Sequence, residues 1–300
     1  MDPNYHSAAG AQTLRNATQR SLSPDLGTLG ATLVRFLYGV PFAALWLLIV
    51  ALAAEHKLLA PDYEFGSWLV LGALSQIAGT TLLLRTMQEH NFTLGVAYSK
   101  SEVMQVAIFG FAFLGDPLTL TTASAVILGT LGVTLLTPVD RQRPVRMRVL
   151  GLTTRPALLG LASGTSFALS AVGYRGAALA LDTTFLMAAA FTLLCAQLIQ
   201  TVVMCIYLHL SQPGLLKRVL RAWRISLLAG SSGAVASAGW FTAMAIEPVA
   251  HVRTLALVEL LFSYAISRRI FREQFGRFQI IGLWVLVAGL VIVTLGPHRQ

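Results

Sequence analysis

The chain has 300 residues, of which 55% are hydrophobic and 12% are charged, and its mean hydropathy is +0.69. Soluble proteins average about 25% charged residues, so this composition excludes a soluble globular domain. The net charge of +9 does not indicate nucleic-acid binding, because the arginines lie in short links between apolar runs. Cys195 and Cys205 fit neither a disulfide framework nor a metal site, and no cofactor is predicted.

Residues 1–28 are polar, and no window within them can cross about 30 Å of hydrocarbon. They also lack the apolar region of a secretory signal peptide. Beyond them, nine continuous apolar runs reach or approach the roughly 17–25 residues of a transmembrane helix. The runs cover residues 30–54, 68–84, 92–114, 118–139, 158–181, 185–210, 225–246, 249–266 and 280–296. The pattern predicts an all-α, polytopic integral membrane protein that contacts the lipid bilayer.

Lysine and arginine concentrate in three links, at residues 140–156, 211–224 and 267–279, whereas the other links are acidic. Short links rich in lysine and arginine stay in the cytoplasm. The N-terminal segment is therefore predicted to be cytoplasmic and the C-terminus to lie outside. The expected location is the inner (plasma) membrane, with multiple passes.

An internal repeat is the second organising signal. Shifting the chain by 157 residues pairs 66–138 with 223–295 and aligns Glu102 with Glu259. The identities in this alignment are at chance level, but the order of elements repeats and the charge of the links inverts. The pattern predicts two inverted five-helix repeats, at 1–139 and 157–300, joined by a basic cytoplasmic linker at 140–156.

The first helix is the anomaly of this repeat. The partner of the run at 158–181 falls at about residues 1–24, which are too polar to insert. The first helix is thus expected to be truncated or atypical. A genuine nine-span protein is the alternative.

Charged residues inside two predicted spans are the sharpest functional signal. Glu102 lies near the middle of 92–114, and Glu259 lies within 249–266. A charge at membrane depth costs at least about 2.5–3.5 kcal/mol, so it is normally paired, hydrated or functional. We interpret both carboxyl groups as facing a central cavity, where one or both bind protons or a cationic group. The alternative is a structural hydrogen bond or ion pair within each half.

Basic residues at membrane depth form a further set of candidates. Lys100 is two residues from Glu102, about 200° around a helix, so we expect it to pair with Glu259 instead. That pair either holds a substrate anion or is a static salt bridge. Arg253 and Arg175 either contribute to substrate binding or extend to the lipid headgroups. Three basic groups against two acidic ones favour a substrate with an anionic group, such as an amino acid.

Aromatic and small residues complete the candidate set. Tyr98, Gln105, Tyr174 and Trp240 are interpreted as pocket-lining groups, with packing or interfacial anchoring as the alternative. Glycines at 160, 164 and 173 and the small residues at 229–239 predict close helix approach.

Three segments carry a family resemblance. The closing segments of the two halves are FLGDPLTLTTASAVILGTLGVTLL and IFREQFGRFQIIGLWVLVAGLVIVTL, each with an acidic residue, a short polar link and a Gly-rich final span. With TLGATLVRFLYGVPFAALWLLIV, which has Arg35 at its entrance, they resemble the EamA-type branch of the drug/metabolite transporter superfamily. The resemblance covers about residues 10–297 and implies a ten-helix, two-repeat carrier.

The predicted function is secondary transport of a small polar metabolite or drug by alternating access, coupled to protons or to exchange. The sequence has no GxxxxGK[ST] loop, HExxH or GxSxG motif, so neither an ATP-driven pump nor a common membrane hydrolase is expected. The alternatives are a non-transporting membrane subunit or scaffold, and a membrane-embedded lipid-modifying enzyme. Assembly as a homodimer is left open.

Overall fold

The computed structural model describes residues 3–53, 61–89, 99–115, 155–249 and 256–270, with isolated positions at 96, 120–135, 252 and 276–288. These ranges are helical apart from short turns. The helices are α1 (Pro3–Leu37), α2 (Val40–Ala53), α3 (Tyr63–Glu89), α4 (Glu102–Phe109, continued by a π-helical turn at Gly110–Leu114), α5 (Arg155–Leu179), α6 (Phe185–Ser211), α7 (Leu215–Arg221), α8 (Trp223–Ile246) and α9 (Glu259–Arg269).

Helix α1 consists of two antiparallel arms. Gly27 has φ of +68° and ψ of 172°, a conformation that glycine adopts without strain and that no helix contains. Across this kink, Gln19 Nε2 donates a 2.8 Å hydrogen bond to the carbonyl oxygen of Ala31. In a straight helix these residues would lie about 18 Å apart, so the chain reverses direction. We call residues 3–26 the first arm and residues 28–37, which lead into α2, the second arm.

The first arm lies inside the bundle, so the expectation that this segment is too polar to belong to it is wrong. Seven of its ten polar side chains whose burial is described are buried, and Leu14 is the large hydrophobic residue that it exposes. The buried set is Gln12, Thr13, Arg15, Asn16, Thr18, Gln19 and Ser23. A helix enclosed by other helices presents little surface to lipid, so its polar groups need only protein partners. The described part of the first helix is thus an atypical, polar member of the bundle.

Several predicted spans correspond to helices. Among the described residues, three stretches are long and apolar enough to cross a membrane: Ala9–Ala53, Tyr63–Glu89 and Phe185–Ser211. They contain the predicted runs 30–54 (to residue 53), 68–84 and 185–210. Helices α5 and α8 cover the runs at 158–181 and 225–246 within a few residues. The runs 118–139 and 280–296 lie largely outside the described residues, so the count of nine spans stays a prediction.

In two predicted spans the α-helical hydrogen-bond pattern breaks at a tight turn, although Ser101 and Val258 keep helical dihedral angles. Helix α4 begins at Glu102, after a turn at residues 100–101, and α9 begins at Glu259, after a 3₁₀ turn at Ala256–Val258. The apolar runs 92–114 and 249–266 did not reveal these breaks, because hydropathy reports side chains and not backbone hydrogen bonding. Irregular backbone is tolerated at membrane depth where protein surrounds it, as it does here.

Glycines bring the helices close to these breaks. A Cβ atom at Gly164 on α5 would lie 3.0 Å from the backbone nitrogen of Glu102 and 3.0 Å from the carbonyl oxygen of Ser99. A Cβ atom at Gly173 would lie 2.8 Å from the nitrogen of Gly72 on α3. The prediction that small residues permit close helix approach is confirmed at these two positions.

Candidate functional site

A cavity lies between α1, α3, α4, α5, α8 and α9, with about 480 Å³ of space between its lining atoms, part of it open to solvent. Little of this space admits a whole water molecule, so the cavity is narrow in this conformation. Ten of its fifteen described lining residues are polar or charged. The lining residues are Gln12, Arg15, Asn16, Arg35, Gln76, Leu83, Ser99, Lys100, Glu102, Phe167, Ser237, Trp240, Phe241, Met244 and Glu259.

Glu259 has three close polar partners in the cavity. Its carboxylate accepts hydrogen bonds from Gln12 Nε2 at 2.6 Å and from Asn16 Nδ2 at 2.7 Å. Lys100 Nζ lies 2.6 Å from the same carboxylate. Glu259 is fully buried, and these three donors compensate for the loss of water around its charge. The carboxylate thus joins the first arm of α1 to the turn before α4.

Lys100 fulfils one expectation and contradicts another. Its predicted pairing with Glu259 is confirmed at 2.6 Å. However, Lys100 Nζ also lies 3.5 Å from Glu102 Oε1, so the argument that these side chains cannot face each other is wrong. That argument assumed a regular helix, whereas residues 100–101 form a turn. Both glutamates therefore lie within 3.5 Å of one ammonium group.

Two arginines that the sequence did not indicate also line the cavity. Arg15 donates from Nε and Nη2 to Asn16 Oδ1, at 3.2 and 2.7 Å, and Arg35 Nη1 donates to Thr80 Oγ1 at 2.9 Å. The sequence pattern predicts a cytoplasmic position for Arg15 and the entrance of a span for Arg35. The signal that was missed is the spacing of polar residues on the first arm, which follows one helical face: 12, 15, 16, 19 and 23.

Trp240 lines the cavity, as predicted. Its indole Nε1 donates a 2.6 Å hydrogen bond to Gln12 Oε1. Gln12 therefore bridges Trp240 and Glu259, and the indole helps to fix the orientation of the amide. Trp240 is 4% exposed, so the interpretation as an interfacial anchor does not fit its position.

Tyr174 belongs to a second polar cluster beside the cavity. Its hydroxyl donates to Gln76 Oε1 at 2.9 Å and accepts from Gln200 Nε2 at 2.8 Å. The Tyr174 ring lies 4.4 Å from the ring of Phe241, which lines the cavity. Gln105 Nε2 donates a hydrogen bond to Ser101 Oγ at 3.4 Å, in the turn just before α4.

Arg175 lies away from the cavity. Its Nη1 donates to the carbonyl oxygens of Met244 and Glu247, each at 2.6 Å. At the end of α8 these carbonyl oxygens have no hydrogen-bond donor within the helix, so Arg175 supplies one. A cation at this end also complements the helix dipole. Arg175 is 9% exposed, so the interpretation that it extends to the headgroups is wrong. Tyr98 and Arg253 lie outside the described residues.

Comparison with known proteins finds a family match in the first half of the chain. Residues 15–137 match the sequence model of the EamA-like transporter family. The resemblance to EamA-type carriers of the drug/metabolite transporter superfamily that was inferred from the sequence is confirmed over these residues. Together with the apolar helices, the match supports a multi-pass membrane protein.

A similarity of fold extends over nearly the whole chain. A solved structure, described only as the crystal structure of a protein, superposes with a TM-score of 0.63. The superposition covers 96% of this chain and 98% of the other, at 14% sequence identity. Similarity at this identity shows a shared fold and nothing about activity. No curated protein matches the sequence.

Proposed function

We propose that the protein is a secondary transporter that moves a small polar metabolite or drug through the central cavity by alternating access. The observation that carries the proposal is that two helices begin at buried glutamates that line the same cavity. Helices α4 and α9 begin at Glu102 and Glu259, and both side chains line the cavity. Discontinuous helices at the interface of two repeats are where secondary transporters bind substrate and coupling ions.

The proposed inverted repeat has support in the positions of the helices. At an offset of 157 residues, the first arm of α1 corresponds to α5, residues 28–53 to α6, and α3 to α8. Glu102 and Glu259 then occupy the same place, the first residue of a helix after an interrupted segment. This order favours two five-helix halves. The proposed location is the inner (plasma) membrane.

Coupling is the finer part of the proposal. Three donors hold Glu259 in place, which favours a structural role for that carboxylate. Glu102 is the proposed coupling group, and its carboxyl would bind a proton. Proton coupling needs a buried carboxyl beside the transport path, and Glu102 is 2% exposed in the cavity lining. Coupling to substrate exchange is the alternative.

Transport by purified protein in proteoliposomes tests the function. Radiolabelled amino acids and organic cations are supplied with and without a pH gradient, to the unaltered protein, Glu102→Gln and Glu64→Gln. Glu64 is exposed at the start of α3, so Glu64→Gln is the matched control. We expect gradient-driven accumulation by the unaltered protein and the control, and its loss in Glu102→Gln.

Two outcomes oppose the proposal at different levels. Equal gradient-driven accumulation by all three proteins would remove Glu102 from coupling and leave the carrier function intact. Transport of no solute, together with a membrane partner that co-purifies, would support the subunit or scaffold alternative.

A further inference from the structure

A short basic helix, α7, lies at one end of the bundle. Helix α6 is long and apolar enough to cross the membrane and ends at Ser211, and α7 begins at Leu215. Helix α8 begins at Trp223, two residues after α7 ends. Since α7 stands between two predicted spans, it lies at the boundary between hydrocarbon and water. The link at 211–224, which contains α7, is one of the three predicted to be cytoplasmic.

One face of α7 is fixed to α1. Leu215 and Val219 are buried, and a Cβ atom at Gly30 would lie 3.3 Å from Leu215 Cδ1 and 3.6 Å from Val219 Cγ2. The hydroxyl of Tyr38 donates to the carbonyl oxygen of Val219 at 3.3 Å. These contacts hold α7 against the second arm of α1 and the turn that follows it.

The opposite face of α7 is cationic. Lys217 and Arg221 are exposed and lie one turn apart, each about 200° around the helix from a buried residue of the other face. Within the part of the chain that the structure describes, neither side chain has an ion pair or a hydrogen bond. Like charges at this spacing repel each other, and an anion placed between them removes the repulsion.

Few carboxylates are near enough to offset this charge. Arg218 and Arg224 are exposed as well, and residues 183–246 contain no aspartate or glutamate. Arg218 Nη1 donates to the carbonyl oxygen of Asp25 at 3.3 Å, which brings one acidic residue to four basic ones. At the same end of the bundle, Glu89 is already paired with Arg155 at 3.1 Å. The surface around α7 therefore carries an excess of positive charge.

Apolar side chains stand beside the cations. Leu220 and Trp223 are 58% and 50% exposed. The guanidinium carbon of Arg224 lies 5.5 Å from the centroid of the Trp223 ring. Tryptophan is enriched where acyl chains meet headgroups, and clusters of about four to eight lysines and arginines on an amphipathic helix are typical of binding to anionic lipid.

We propose that α7 and the start of α8 bind an anionic phospholipid of the cytoplasmic leaflet. The phosphate lies between Lys217 and Arg221, and the acyl chains lie against Leu220 and Trp223. Because the other face of α7 packs against α1, the bound lipid also stabilises the reversal of α1. This site is on the outer surface of the bundle and does not depend on the proposed transport function.

Lipid binding to the detergent-solubilised protein, titrated by native mass spectrometry, tests the site. The probes are dioleoyl phosphatidylglycerol, which is anionic, and dioleoyl phosphatidylcholine, which has no net charge. Each cation near the surface strengthens binding of anionic lipid about fivefold. We therefore expect Lys217→Gln/Arg221→Gln to lower the affinity for phosphatidylglycerol by at least about tenfold and to leave that for phosphatidylcholine unchanged. Equal affinities of the unaltered protein for the two lipids, or no loss in this variant, would overturn the proposal.

Two variants are matched controls. Arg268→Gln/Arg269→Gln removes two exposed arginines of α9 and makes the same change in net charge elsewhere on the surface. Lys217→Arg/Arg221→Lys keeps both charges on α7. Both variants should keep the affinity for phosphatidylglycerol, and gel filtration reports whether each variant is folded. An equal loss in the α9 variant would show that net charge alone attracts the lipid, and would overturn the site.

Two further measurements identify the ligand and its place. Glycerol 3-phosphate at the same concentration should not displace phosphatidylglycerol, and displacement would assign the face to a soluble phosphate compound instead. Phosphatidylglycerol with brominated acyl chains quenches tryptophan fluorescence, and Trp223→Phe should remove part of that quenching. Unchanged quenching would overturn the placement of the acyl chains.

Thermal unfolding tests the link from the lipid to α1. Phosphatidylglycerol should raise the midpoint temperature of the unaltered protein more than phosphatidylcholine does, because it binds the folded state. The difference between the two lipids should be lost in Lys217→Gln/Arg221→Gln. An equal difference in this variant would overturn the stabilisation through α7.

Discussion

The first arm of α1 and helix α6 belong to the same bundle but use polarity in opposite ways. The first arm buries glutamine, asparagine and arginine side chains and exposes almost no apolar surface. Helix α6 exposes large apolar side chains, such as Leu198, Val202 and Ile206, and buries alanines and two glutamines. The difference indicates that α6 faces lipid on one side, whereas the first arm is enclosed by protein.

This contrast defines what hydropathy measures in a membrane bundle. A span is recognisable when part of its surface must be dissolved in hydrocarbon. An enclosed helix is free of that requirement, and its side chains are selected by their protein partners instead. For the first arm those partners include Glu259, Trp240 and the carbonyl oxygen of Ala31. The contrast is tested by substitutions whose effects on stability should differ between an enclosed helix and a lipid-facing helix.

The largest effect is expected for the ion pair that holds the first arm in place. Lys100→Met removes one member of a buried pair and leaves Glu259 with two neutral donors, at an expected cost of about 3–5 kcal/mol in the free energy of unfolding. Unfolding by SDS in detergent micelles measures it. The double variant Lys100→Met/Glu259→Gln no longer has the carboxylate of Glu259, so its loss in the free energy of unfolding should be smaller than the sum of the losses of the two single variants. A loss equal to that sum would contradict the pairing.

A smaller effect is expected on the first arm itself. Asn16→Ala deletes the Nδ2 donor to Glu259 and the Oδ1 acceptor of Arg15, with an expected loss of about 1.5–3 kcal/mol, as for hydrogen bonds to charged groups. Val202→Ala on the exposed face of α6 is the control, with an expected change within about 0.5 kcal/mol. The same SDS titration measures both. Similar losses for the two variants would show that the first arm is not enclosed as described.

The smallest of the three effects is expected at the break before α4. Gly164→Ala places a Cβ atom 3.0 Å from the backbone of residues 99 and 102, and overpacking of this kind costs about 1–3 kcal/mol. Gly66→Ala on α3 is the matched control, because nothing lies within 4 Å of the added atom. Thermal unfolding of both variants gives the comparison. A Gly164→Ala protein as stable as the control would mean that α5 does not press against this turn.

The sequence predicted those parts of the structure in which chemistry leaves a buried residue few possible partners. A buried lysine needs an acid, and the predicted repeat made Glu259 the candidate at the same level of the bundle as Lys100. Hydropathy located the helices that carry apolar surface, such as α3 and α6. The position of Trp240 in the cavity was also predicted, although not its bond to Gln12.

Other features depend on packing that no local pattern reports. The breaks before Glu102 and Glu259 are changes of backbone hydrogen bonding within apolar runs. The place of Arg15 depends on α8 and α9, which follow it by more than 200 residues. Window averages over the first 28 residues hid a polar stripe with helical spacing. The lesson is to examine the periodicity of a polar segment before excluding it from the membrane.

The bonds from the first arm to Glu259 have a consequence for biogenesis. They join residues that are 243 and 247 positions apart in the chain. At about 5–20 residues per second, ribosomes need roughly 12–50 seconds to synthesise that interval. Throughout that time the nascent first arm lacks Glu259, and the amide side chains that will bond it depend on water, on other protein groups or on the translocation machinery. The polar centre of the molecule is therefore completed only after most of the chain has entered the membrane.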